Sequence, residues 1–129
     1  MRRFIIAPMP SLAGSAGRSL IFVLAATPTV LFSINFCSWI FGCGCQSWWA
    51  GAAAACNIHV PHARHCPWCI YGGQGFVVAF GLILAVQAIL GFGVARLAWP
   101  FRLALALAAF PLIGTAVAVI YGLISHYWS

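Results

Sequence analysis

The run LIFVLAATPTVLFSINFCSWIF, residues 20–41, decides the fold. It contains no charged side chain, and a bilayer's hydrocarbon core takes about 20 apolar residues in helical form. Working outward from it, two more runs qualify, at residues 70–98 and 103–127. Pro100, inside AWPFR, suits a tight reversal between them over residues 99–102. The expected organisation is therefore a segment 1–19, a first span at 20–41, a long loop at 42–69, a second span at 70–98, a short turn and a third span. Arg2 and Arg3 would suit the start of a signal peptide, but the run behind them is long and no small-x-small site closes it, so it reads as a true first helix.

Composition agrees. Of 129 residues 64% are hydrophobic and 5% charged, with no Asp or Glu, against about 25% charged in a soluble domain. Six arginines cannot cover a soluble surface, so the chain reads as an all-α integral membrane protein whose outer face meets the lipid bilayer. With no carboxylate, paired acid–base catalysis and hard oxygen cages for calcium or magnesium are excluded. Chemistry must come from Cys, His, aromatic rings or backbone. A net charge of +6 raises nucleic acid as a partner, but arginines scattered at segment ends fit a membrane better, and no nucleic acid is expected.

Those arginines set the expected orientation. Arg2, Arg3 and Arg18 precede the first span, Arg96 and Arg102 flank the short turn, and only Arg64 lies in the long loop. Positive charge stays on the cytoplasmic side, which gives an N-in, C-out protein in the bacterial inner membrane with the long loop facing the periplasm. Trp39, Trp48, Trp49, Trp68, Tyr71, Tyr127 and Trp128 collect at the loop side, as interfacial rings do.

Within the spans, Gly114, Ala118 and Gly122 recur at intervals of four, a spacing that lets helix backbones approach closely in lipid. Gln87 and Thr115 sit near the middle of their spans. A side-chain amide in hydrocarbon needs a protein partner, so both are expected at helix contacts. Pro28 and Pro111 are expected to kink their helices.

All six cysteines fall between residues 37 and 69. The loop opens with CSWIFGCGCQSWW and closes with CNIHVPHARHCPWC. Cys43-x-Cys45 and Cys66-x-x-Cys69 bracket a gap close to the zinc-ribbon spacing of about 15–20 residues. Four thiolates suit tetrahedral Zn(II), with Cu possible as another soft ion. His59, His62 and His65 offer alternative ligands, for instance in a set of two cysteines and two histidines. Cys37 and Cys56 remain as disulfide candidates, and in an oxidising compartment all six can pair, leaving no cofactor.

The Cys66-Pro67-Trp68-Cys69 motif leads into the second span, and a helix N-terminus favours a thiolate. In this the chain resembles the membrane thiol oxidases of the vitamin K epoxide reductase class, which implies thiol–disulfide exchange with quinone. The match covers that tetrapeptide and its placement; those families have four helices, and three are expected here. Small three-helix mercury-uptake proteins likewise place cysteine pairs at membrane faces and keep a thiol pair within a span to hand the metal inward; Cys37, near the outer end of the first span, would be the nearest candidate.

A loop this short cannot build its own hydrophobic core and needs a staple. The expectation is a small accessory subunit of a larger membrane oxidoreductase-type complex, not its catalytic subunit, with a metal-stapled outer loop.

Overall fold

A computed structural model describes residues 14–94 and 96–129. Arg2 and Arg3, with the expected segment as far as residue 13, lie outside the described residues. Three helices dominate: α1 (Ser15–Phe41), α2 (Ile70–Ala88), which continues through a π-helical turn at Ile89–Gly93, and α3 (Trp99–Ile124). No strand occurs among the described residues. All three are long and apolar enough to cross a membrane, as in a multi-pass membrane protein.

One stripe of α1 faces the other helices. Gly17, Ile21, Ala25, Thr29, Ser33, Cys37 and Phe41, each four residues from the last, are all buried. Between them the chain turns Leu20, Val23, Leu24, Val30 and Phe32 outward. Apolar side chains on both faces are what lipid permits and water does not. The helix runs unbroken through Pro28 and stops where Gly42 takes a left-handed φ of 58° and donates its N–H to the Ser38 carbonyl at 2.8 Å, a standard helix ending.

Gln87 ties the bundle at mid-height. Its Nε2 donates toward the Ala25 carbonyl at 3.1 Å, Thr29 Oγ1 at 2.8 Å and the Ala106 carbonyl at 3.1 Å, joining α2 to both other helices. At the far end the buried Arg102 guanidinium donates to the Gly91 carbonyl inside the π turn. A π turn displaces its carbonyls from the regular ladder, and Arg102 meets one of them. Gly91 also lets Phe22 of α1 approach: a Cβ on it would sit 3.3 Å from the Phe22 Cβ.

The helix limits differ from those read in the sequence. Where a turn over 99–102 is expected, α3 already begins at Trp99, because Pro100 sits in its first turn instead of breaking a helix. Proline's fixed φ and missing N–H suit that first turn. The third helix ends at Ile124 rather than 127. Beyond it, Ser125 N–H donates to Tyr121 O at 2.9 Å and Tyr127 N–H to Gly122 O at 2.9 Å, turning the chain back over the bundle. Trp128 then stacks on Phe41 at 5.7 Å between ring centroids, and Tyr127 meets the same ring edge-on at 5.3 Å.

Gly114, Ala118 and Gly122 are buried, the first against the Phe36 ring and the last against Trp128. Thr115, by contrast, lies on the exposed side of α3.

Candidate metal centre

The long loop does not stand away from the bundle. It folds back along α1. Asn35 and Ser47 exchange side-chain hydrogen bonds at 2.9 and 3.1 Å, and Trp48 Nε1 donates to the Val30 carbonyl at 2.7 Å. At 1.5 Å of rise per residue, these contacts lie about 9 and 16 Å below the end of α1. Non-helical backbone packed along an apolar helix must satisfy its own polar groups. It does so with short turns: Gln46 N–H to Ala52 O at 2.8 Å, Ala52 N–H to Ser47 O at 3.1 Å and Cys56 N–H to Ala53 O at 3.0 Å. The AGAAAA run thus continues from the 3-10 turn at Trp48–Ala50 as turns over residues 51–55.

Folding back brings all six sulfurs into one cluster. Cys37, projecting from the buried stripe of α1, has its Sγ 3.8 Å from that of Cys43 and 3.4 Å from that of Cys66. The Sγ atoms of Cys43 and Cys45 are 3.4 Å apart, and those of Cys45 and Cys69 3.7 Å. Cys56 joins Cys43 and Cys45 in a group whose sulfurs lie within 4.8 Å of one another, as do those of Cys37, Cys43 and Cys66. All six thiols are free, and only Cys69 is not fully buried. Phe41, Ile34 and Trp68 close the cluster in apolar surface.

Of the expected quartet, Cys43 shares one three-sulfur group with Cys66 and the other with Cys45, and Cys69 lies 3.7 Å from Cys45; Cys37 and Cys56 sit inside the same cluster. These two disulfide candidates belong to different three-sulfur groups. Cys37 lies within α1, as the span 20–41 has it, and projects inward from the buried face of that helix. The histidines take no part. His59, His62 and His65 are exposed, and neither sulfur group contains one among the described residues. His59 Nε2 lies 3.1 Å from the Ala53 carbonyl, and His62 sits at a left-handed φ of 66°.

Asn57, which carries no sequence signal beyond its place beside Cys56, organises the loop. Its backbone N–H donates to the Cys43 carbonyl at 2.7 Å. Its Oδ1 accepts from Cys66 N–H at 2.9 Å, while Nδ2 donates to the Arg64 carbonyl at 2.7 Å and to Tyr127 Oη at 3.2 Å. Tyr127 in turn donates its hydroxyl to the Phe41 carbonyl at 2.6 Å. One residue thus fixes both sulfur-bearing arms of the loop and the end of the chain. Gly44, between Cys43 and Cys45, has φ +80°, and a Cβ there would meet Ala55 O at 2.8 Å.

Proximity perturbs the thiols. The Cys37 thiol beside them draws Cys43 and Cys66 below the ordinary thiol value, whereas burial pushes Cys45 above it. Contact with Cys37 lowers Cys69, but the contacts with Cys43 and Cys66, together with burial, outweigh it and leave Cys69 raised. Protonated and deprotonated sulfurs can therefore hydrogen-bond one another. A soft cation would displace those protons, because the metal ligand is the thiolate.

The spacing suits such a cation. Around a tetrahedral ion with metal–sulfur bonds of about 2.3 Å, neighbouring sulfurs lie about 3.8 Å apart. The sulfur contacts run from 3.4 to 3.8 Å. The cysteine groups can hold a metal ion.

Beside the cluster lies an apolar cavity of about 270 Å³, walled by Trp48 and Ile58 from the loop and by Trp68, Phe76 and the cysteines 37, 45 and 69. No protein-family model, curated protein or solved structure matches this chain, so function rests on the geometry of the site.

Proposed function

We propose that this chain is a membrane subunit that binds a soft d10 cation, Zn(II) or Cu(I), on clustered cysteine thiolates, and that the ion staples the re-entrant loop to the helix bundle. The observation that carries the reading is the set of sulfur separations of 3.4–3.8 Å drawn from α1, both arms of the loop and the start of α2. Sulfur without oxygen or imidazole selects soft ions. By the arginine distribution the cluster faces the periplasm of a bacterial inner membrane. The role is that of an accessory subunit in a larger membrane complex: the six arginines sit at segment ends or in the loop, and the chain has no carboxylate for acid–base work. Elemental analysis of the full chain, purified gently under reducing conditions, tests the metal; sizing of the solubilised material tests the complex. Metal near zero refutes the first statement, and migration as a free 13.8 kDa chain refutes the second.

A second reading draws on the cavity. Cys66 and Cys69 can pass two electrons and two protons to a quinone held there, forming one disulfide and a quinol. Cys69 on the cavity wall supports this, while its raised pKa opposes it, since the attacking species is a thiolate. A Cys69→Ala chain that reduces quinone with dithiols at the unchanged rate eliminates it.

A further inference from the structure

We infer that the cluster holds two soft d10 cations and that the Cys43 thiolate bridges them. This rests on the metal-binding reading and adds a second site to it. A single tetrahedral ion takes four sulfurs, and here six converge. They fall into two groups, Cys37 with Cys43 and Cys66, and Cys43 with Cys45 and Cys56, each mutually within 4.8 Å. Two sulfurs bound to one ion can be at most about 4.6 Å apart, twice the metal–sulfur bond, so each group needs only a slight contraction to close on an ion. Cys43 alone belongs to both, which makes it the bridge.

The backbone holds the second group as firmly as the first. Asn57 N–H on the Cys43 carbonyl at 2.7 Å sets Cys56 beside Cys43. Gly44 lets the chain pass under the Ala55 carbonyl at a distance no other residue allows. Cys69, 3.7 Å from Cys45, lies outside both groups at the edge of the cluster. Each thiol that ligates releases its proton to solvent, and no electron moves. Two ions therefore account for Cys37 and Cys56, which a single site built on the other four cysteines would leave idle in an apolar core.

The test is loading of the full chain, purified in detergent without oxygen, with Zn(II) and separately with Cu(I), followed by desalting and elemental analysis. Two ions per chain are expected with at least one of the metals, with a sulfur-only first shell and a metal neighbour within about 4.6 Å by X-ray absorption. Cys56→Ser and Cys66→Ser should each lose one of the two ions, and Cys43→Ser should lose more than either. One ion per chain, or two without a metal neighbour, overturns the bridged pair and leaves the metal-binding reading standing. No metal overturns both. The wild-type ratio decides even if the variants fail to fold.

Discussion

Asn57 Oδ1 accepts the Cys66 backbone N–H at 2.9 Å, so the residue after Cys56 fixes the position of a cysteine nine places further on. Asn57→Ala leaves that buried N–H without its partner; it also removes the bonds to the exposed Arg64 carbonyl and to the Tyr127 hydroxyl, which keeps its own bond to the Phe41 carbonyl. Orphaning a buried group costs about 1–3 kcal/mol, and losing an outer-shell partner lowers metal affinity by about 10–100-fold. Competition against a chromophoric chelator measures the affinity. Asn57→Asp keeps the acceptor for Cys66 but not the donor, and should fall between the two. An alanine variant with wild-type affinity would show that the sulfurs position themselves.

Glycines 42 and 44 allow a matched comparison. Both have left-handed φ, 58° and 80°, but a Cβ at Gly42 meets nothing within 4 Å, whereas one at Gly44 meets Ala55 O at 2.8 Å. Left-handed backbone costs an L-residue about 1–2 kcal/mol. Gly42→Ala should lose that much in thermal unfolding, and Gly44→Ala more, because backbone must shift as well. Only Gly44→Ala should also weaken metal binding, since it moves Cys43 and Cys45. Equal losses in the two variants would count against the tight pass under Ala55.

The three spans are legible in the sequence because lipid demands long apolar runs and the chain supplies three. The CxC and CxxC pairs are legible from spacing alone. The limits of the second turn are not, because Pro100 can break a helix or begin one and local sequence does not say which. Nor is the fold-back of the loop. It depends on Asn35 meeting Ser47 and Trp48 reaching Val30, contacts across twelve and eighteen residues that no local pattern encodes. With that fold-back hidden, Cys37 reads as a spare sulfur and Asn57 as a loop polar residue.

Gln87 holds three helices together, yet its Oε1 is buried without a partner. Replacement by leucine removes that unpaired oxygen along with the bonds. Interhelical bonds in membranes are worth about 0.6 kcal/mol on average, so Gln87→Leu should cost only about 1 kcal/mol. Gln87→Glu, which sets an ionisable group at mid-span, should cost more. Unfolding by denaturing detergent ranks the variants, and a leucine variant less stable than the glutamate one would contradict this account.

Tyr127 gives the loop a pH limit. Burial raises its hydroxyl above the ordinary value of 10.0, with the Asn57 amide pulling weakly the other way. The folded state thus favours the neutral phenol, which donates to the Phe41 carbonyl. A folded pKa above the unfolded one means that this contribution is complete below pH 10 and declines as pH rises from there through the raised value. Tryptophan fluorescence should report the C-terminal segment releasing Phe41 over that range. Tyr127→Phe lacks the titrating group, so its signal should stay flat across the same window, and an identical transition in the variant would place the effect elsewhere.

The histidines provide the sharpest separation between ligand and bystander. His59, His62 and His65 are exposed and lie in neither sulfur group, and His59 is engaged with the Ala53 carbonyl. Recruiting any of them would require the loop to leave turns fixed by Asn57 and Cys56. Cys66 is already held in place: its N–H meets Asn57, and its carbonyl receives the N–H groups of Cys69 and Ile70, each at 3.0 Å. A chain carrying His59→Ala, His62→Ala and His65→Ala together should keep its full metal content and an affinity within about threefold of wild type, below the roughly 10-fold that an outer-shell partner commands. Cys43→Ser in the same assay should lose most of the metal. Were the histidine variant to lose metal while Cys43→Ser kept it, the ion would sit on an imidazole-bearing conformation of the loop, with the buried sulfurs serving only to pack it.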